Sequence, residues 1–197
     1  MIRIIGPRSP RESSAINTTS TSPNWSRGLS PFLLGPVPLY AEATERTGLT
    51  HALTVENLWQ FAKVYTGPIG SPPEDYWQWA AKGWASAKAV RYPMGKGAAP
   101  SYTYWNGEAL NWQQAWRKVY VPAYAHAVVG TAAFAELQRQ YQANDGNITL
   151  WDFDGYSFLE EGHTFRQALD GTRSKGHAMV LAWLLSQTAS PSIVLPE

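Results

Sequence analysis

Glycine and proline cut this chain into short pieces, and that limits its folds more than any other feature. Gly6-Pro7 closes the first apolar run, "IRII". "LSPFLLGPVPLY", residues 29–40, holds three prolines and a glycine. Gly67-Pro68 stops the segment that opens at Thr54, Gly83 falls inside the next, Pro122 inside a third, and Gly146 ends a fourth. Proline removes a backbone donor and fixes φ, while glycine admits conformations other residues avoid. The proline-rich stretch at 29–40 should therefore form short extended pieces and turns, and the other interruptions mark where elements stop or bend.

Within the pieces, hydrophobic period decides the type of element. "IRII" reads as a short strand. Residues 7–28, rich in Ser, Thr, Pro and Asn, have no period and read as a loop, long for a compact domain. Residues 41–53 read as loop with one helical turn. Thr54 suits an N-cap, and Val55, Leu58, Ala62 and Tyr65 recur at helical spacing, so a helix should run from Thr54 to the Gly67-Pro68 stop. "YWQWAAKGWASAKAV" predicts a helix interrupted at Gly83, and "RYPMGKGAAPSY" a loop. "NWQQAWRKVYVPAYAHAVV" predicts a helix kinked or broken at Pro122. "TAAFAELQRQYQAND" is the clearest helix, "NITLWDFDGY" a strand with an Asp-Gly turn, and "KGHAMVLAWLLSQT" a buried helix. The expected fold is α+β, mostly helical with a few short strands. It would form one domain over residues 1–190, followed by a tail at 191–197.

Composition excludes several kinds of chemistry. The chain has no cysteine, so a disulfide framework, a cysteine nucleophile and a thiolate zinc site are impossible. A net charge of +1 supplies no long-range field for nucleic acid, although a local basic patch remains open. The N-terminal apolar run is too short for a signal peptide, and no stretch approaches the ~20 apolar residues of a membrane span, so a cytoplasmic protein is expected. Ten Trp and ten Tyr are unusual in a chain of 197 residues. Such rings pack cores, and a few of them can also wall a cleft that stacks on flat ligands.

Three stretches could carry chemistry. In "TVENLWQFAKVY" (residues 54–65), Glu56, Gln60 and Lys63 share one helical stripe, with Trp59 at its edge. That stripe is either a solvated polar face or one wall of an active site in which carboxylate, amide and lysine hold a sugar and a developing charge. In "LWDFDGY", Asp152 and Asp154 would face one side of a strand, where paired carboxylates suit acid–base work or a magnesium ion. The other reading makes Asp154-Gly155 a turn and Asp152 a cap or salt-bridge acceptor. The string is similar to the aspartate motif of haloacid-dehalogenase-like phosphatases, but too few residues follow it here for their doubly wound domain. In "AVRYPMGKGAAP", Arg91 and Lys96 stand among glycines that could take a phosphate. Histidines 51, 126, 163 and 177 show no metal-ligand spacing, and His177 reads as a hydrogen-bonded packing residue.

The order of these stretches, "SRGLSPFLLGPVPLY", then "LTVENLWQFAKVY", then "WASAKAVRYPMGKG", then "WRKVYVPAYAHAV…AFAELQRQY…GNITLWDFDG", resembles the NADAR, or YbiA-like, family over about residues 26–156. Pro31 and Asn57 stand where that family has asparagine and histidine. The long N-terminal loop and the C-terminal helix are additions to it. The resemblance implies a NADAR-like domain that cleaves N-glycosidic bonds of ADP-ribose-like or nucleotide-derived substrates, free or within modified nucleic acid, without metal or cofactor. It implies catalysis by Glu56, Lys63 and Asp152. Trp25, Arg27, Ser30, Phe32, Asn57, Trp59, Gln60, Arg91, Lys96 and Asp154 would then contact the substrate. Two rival functions follow from the same residues. One is a non-catalytic reader of a nucleotide or modified base, in a phage or DNA-modification setting. The other is a magnesium-dependent phosphoryl or glycosyl transferase built on Asp152 and Asp154.

Overall fold

The structure, a computed structural model, describes residues 1–10, 12–156, 161–173 and 175–187. The expected tail at 191–197 lies outside the described residues. The chain is α+β, with helices and short strands in small sheets. In order it forms β1 (Ile2–Ile5), β2 (Ile16–Asn17), a 3-10 turn (Trp25–Leu29), β3 (Val37–Pro38), α1 (Ala41–Thr47), β4 (His51–Ala52), α2 (Val55–Phe61) and β5 (Lys63–Val64). Then come α3 (Glu74–Trp84), β6 (Tyr102–Trp105), β7 (Glu108–Leu110), α4 (Trp112–Ala115), a π-helical stretch (Trp116–Tyr120) and α5 (Val121–Val129). The last elements are α6 (Ala132–Ala143), β8 (Ile148–Trp151), α7 (Phe165–Asp170) and α8 (His177–Ser186). They gather into two compact units, the first comprising Met1–Pro31 and Tyr124–Glu197, the second Phe32–Ala123.

In the first unit β8 lies between β1 and β2, parallel to both, with Ile4 opposite Leu150 and Ile16 opposite the same residue. Ile2, Ile4, Ile148 and Leu150 are buried, and α8 packs against β1. Every α8 residue from His177 to Leu185 is buried, as its continuous apolar sequence requires. Each such Leu, Ile or Val removed from water contributes about 1.5–3 kcal/mol. α6 has Thr131 as its N-cap, the side chain accepting from the Phe134 N–H at 3.1 Å, and Gly146 in the left-handed region at φ 76° follows it.

The second unit holds two antiparallel sheets, β3–β4 and β5–β6–β7, packed with α1, α2 and α3. β6 and β7 form a hairpin whose turn is Asn106-Gly107, at φ 48° and 82°. Those angles match the turn that asparagine-glycine favours. This hairpin changes how the segment after Thr54 ends. The sequence predicts helix as far as Gly67-Pro68, but α2 stops at Phe61 and Lys63–Val64 pair with Tyr102 and Thr103 as β5. The Tyr104 N–H also bonds the Ala62 carbonyl at 2.9 Å, so strand pairing takes the residues from the helix.

Three other expectations need correction. Residues 41–47 form a full helix, α1, closed by Gly48 in the left-handed region, where a single turn is expected. α3 runs through Gly83 instead of breaking there, and ends at Trp84. Gly83 is needed because the Phe61 ring lies where a Cβ would be. At Pro122 the helix does not break: the preceding turn widens into a π-stretch, in which the Val121 N–H bonds the Trp116 carbonyl, and α5 follows it directly.

Candidate functional site

Helix α2 starts at Thr54, whose side chain accepts from the Asn57 N–H at 3.1 Å. All seven residues of α2 are buried, its polar ones included: Glu56 is 6% exposed and Gln60 8%. The solvated-face reading fails here, because periodicity marks which residues share a face but not what covers it. On that covered face the polar groups link in series. Gln60 Nε2 donates to Glu56 Oε1 at 2.9 Å, and Lys63 Nζ donates to Gln60 Oε1 at 2.7 Å. The amide thus connects carboxylate to ammonium. Lys63, though on β5, still meets this stripe, and its Nζ stands 4.9 Å from the Trp59 ring centroid. Burial pulls the Lys63 ammonium down to about 8, partly opposed by the nearby Glu56 carboxylate. Near neutral pH a fraction of this amine is unprotonated and nucleophilic.

Aromatic rings wall this group. Trp59 meets Trp116 edge-on (centroids 6.4 Å, 85°) and Tyr120 likewise (5.3 Å, 69°), while Trp116 stacks on Tyr120 at 4.3 Å. Trp59 is therefore packed between the π-stretch and Lys63, with little surface left to stack on a base as the sequence suggests. The buried indole N–H of Trp116 has no hydrogen-bond acceptor among the described residues. On the other flank Lys63 borders a pocket of about 160 Å³, lined also by Tyr65, Asp75, Tyr76, Trp79 and Met94. None of these five stands out in the sequence as a site residue; only the density of aromatic residues between 65 and 79 signals them.

Asn57 is committed elsewhere. Fully buried, it donates to the Ser86 and Lys88 carbonyls at 2.9 and 3.0 Å and accepts from the Val90 N–H at 2.8 Å. It holds the start of the loop that carries Arg91, and its side-chain amide is occupied by those three backbone groups. Arg91 lies 5.5 Å over the Tyr92 ring, and Lys96 is exposed between Gly95 and Gly97, both at φ 93°. Phe32 is half-buried in this unit.

The remaining expected residues belong to the first unit. Trp25 is half-buried and Arg27 exposed on the 3-10 turn, which Asn24 caps through the Ser26 N–H, and Ser30 is buried just after it. The carboxylate pair is not formed as a strand face, because β8 ends at Trp151 and residues 152–155 turn, the Gly155 N–H bonding the Asp152 carbonyl at 3.1 Å. Asp152 is 3% exposed; its Oδ2 accepts from the Ala178 N–H at 3.1 Å and lies 3.2 Å from His177 Nδ1. His177 Nε2 is 2.8 Å from the Thr18 carbonyl, which makes this histidine the hydrogen-bonded packing residue expected. Asp152 thus caps α8 and lies against His177. Among the described residues no three His, Cys, Asp or Glu side chains converge to hold a metal. No described helix is long and apolar enough to cross a membrane.

The chain matches no protein-family model, no curated protein and no solved structure.

Proposed function

We propose that this chain is a NADAR-like N-glycosidase, cytoplasmic and independent of metal, that cleaves the base–ribose bond of a nucleotide-derived substrate. The observation that carries the reading is the buried series Glu56–Gln60–Lys63. Breaking an N-glycosidic bond leaves positive charge on the sugar, which a carboxylate in a poorly solvated site stabilises more than one in water. The lysine supplies the second function. In its neutral form, Lys63 attacks the anomeric carbon while the base departs with the bonding pair and takes the proton that the newly bonded amine sheds; water then hydrolyses the Lys63–sugar bond, its hydroxyl passing to the sugar and its proton to the amine, which is regenerated. Gln60 fixes the spacing between the two groups, accepting from one and donating to the other. The pocket of Tyr65, Tyr76 and Trp79 beside Lys63 supplies aromatic surface for a flat ring.

The test is a thermal-shift panel of ADP-ribose, NAD, nucleotides and riboflavin-pathway ribosides, followed by mass spectrometry of every compound that raises the melting temperature. Release of free base by the wild type, lost in both Glu56→Gln and Lys63→Ala, is the expected result. A ligand that stabilises the protein and is recovered intact would instead make the chain a nucleotide or modified-base reader. No shift with any compound would sink both readings.

A further inference from the structure

We infer that the first unit carries a separate binding site for a nucleoside monophosphate, in the cleft between the turns that leave β1 and β8. Parallel sheets bind ligands outside the carboxyl ends of their strands, because the loops there converge while the strands hold them rigid. Here β1 and β8 are parallel neighbours, and a cleft of about 890 Å³ opens along β1 and those two turns. Its size falls among small-molecule sites.

The floor is built. The Asp152 N–H bonds the Ile5 carbonyl at 3.0 Å, and the Ser9 N–H bonds the Gly6 carbonyl at 2.9 Å. Gly6 and Gly155 bring the two turns together: a Cβ on Gly6 would stand 2.6 Å from the Gly155 carbonyl oxygen, and one on Gly155 would overlap the Ile5 carbonyl. Side chains at those positions would force the turns apart.

The lining selects the ligand. Arg3 pairs with Glu12 at 2.8 Å, and Arg173 pairs with Glu161 at 2.7 Å while stacking 3.9 Å over Tyr156. Arg8 lines the same cleft, is exposed, and meets no acid among the described residues. Among the described residues that line the cleft its guanidinium is the one not paired with an acid, and it can grip a phosphate through two parallel N–H bonds. Asp154, on the β8 turn, supplies a carboxylate of the kind that accepts ribose hydroxyls and repels a second phosphate. Phe153, 45% exposed beside the edge of Trp151, gives a ring for a base to lie against. One phosphate, one ribose and one flat ring make a nucleoside monophosphate.

Calorimetric titration of the full chain with AMP, ribose 5-phosphate, adenosine and inorganic phosphate tests this. AMP should bind saturably. Arg8→Ala should weaken AMP and ribose 5-phosphate by about tenfold or more and leave adenosine unchanged, whereas Phe153→Ala should weaken AMP and adenosine and spare ribose 5-phosphate. Both side chains are exposed, so both variants should melt with the wild type. AMP affinity unchanged in both variants would overturn the site, as would no saturable binding of any compound. Binding of inorganic phosphate as tight as AMP would overturn the ligand class. Glu56 and Lys63 lie in the other unit, so Arg8→Ala should retain any base-releasing activity while losing AMP, and Glu56→Gln the reverse. Each reading can therefore fail alone.

Discussion

Replacing Lys63 with methionine should change how the stability of this protein depends on pH, in a direction opposite to that of most ion-pair mutations. Folding draws the Lys63 ammonium from its ordinary 10.5 down to about 8. A base whose folded-state pKa is lowered costs stability at every pH where both states would be protonated, which is below about 8. That cost is relieved as pH rises, because between about 8 and 10.5 the unfolded chain still binds the proton that the folded chain has released. A tenfold change in proton affinity is worth about 1.4 kcal/mol, so the full cost is about 3 kcal/mol, and about 2.5 kcal/mol of it disappears between about pH 7 and pH 10. Lys63→Met keeps the side-chain length and removes the charge, so its curve lacks that rise. The variant also forfeits the bond to Gln60, about 1 kcal/mol, which the neutral amine donates as the ammonium does, so this loss is much the same at all pH values. Urea unfolding of both proteins at several pH values separates the two effects: the constant loss displaces the curves, while the titration changes their separation. The wild type should gain about 2.5 kcal/mol on the variant from pH 7 to pH 10. Parallel curves would show that Lys63 is well solvated, and the nucleophile assigned to the α2 site would lose its physical basis.

Gly83→Ala should cost about 2–3 kcal/mol in urea unfolding, because the new methyl falls on the Phe61 ring; a wild-type midpoint would mean that the ring simply moves aside. Asn57→Ala strips partners from two carbonyls and one N–H, and should speed hydrogen exchange over residues 86–90 while costing about 2–4 kcal/mol; unchanged exchange there would refute the clamp. Asp152→Ala should destabilise the first unit by about 3 kcal/mol, and Asp152→Asn by less, since its amide oxygen can still accept from the Ala178 N–H. If Asp152→Asn folds normally yet abolishes base release, the capping role is incomplete and this carboxylate belongs to the chemistry.

Local signals in this sequence are legible where the chain itself satisfies them. Thr54 and Thr131 cap the helices expected to start there, Gly146 follows the helix it should end, and the continuous apolar run from His177 is buried. The α+β class follows from the same short-range signs. Asn106-Gly107, between "YTYW" and "EAL", is as strong a hairpin sign as any in the chain, and neglecting it also misplaces the end of α2. Lys63 and Val64 carry helical period but become a strand because β6 is there to pair with them. Local propensity is worth tenths of a kcal/mol per residue, so a ladder that satisfies backbone donors outweighs it.

The site residues divide along the same line. A stripe of Glu56, Gln60 and Lys63 can be read from spacing alone, but its meaning depends on burial, which elements distant in sequence impose. Once Trp116 and Tyr120 wall Trp59, an amide that would be idle in water has to accept and donate, and it does both. The Asp152–Asp154 pairing fails for the complementary reason. Alternation puts both on one face only if the strand continues, and Asp152 leaves the strand to satisfy the α8 N-terminus and His177, groups some 25 residues onward that no local pattern connects to it. A buried carboxylate goes where the unmet donors are, and in this fold those are at the start of α8.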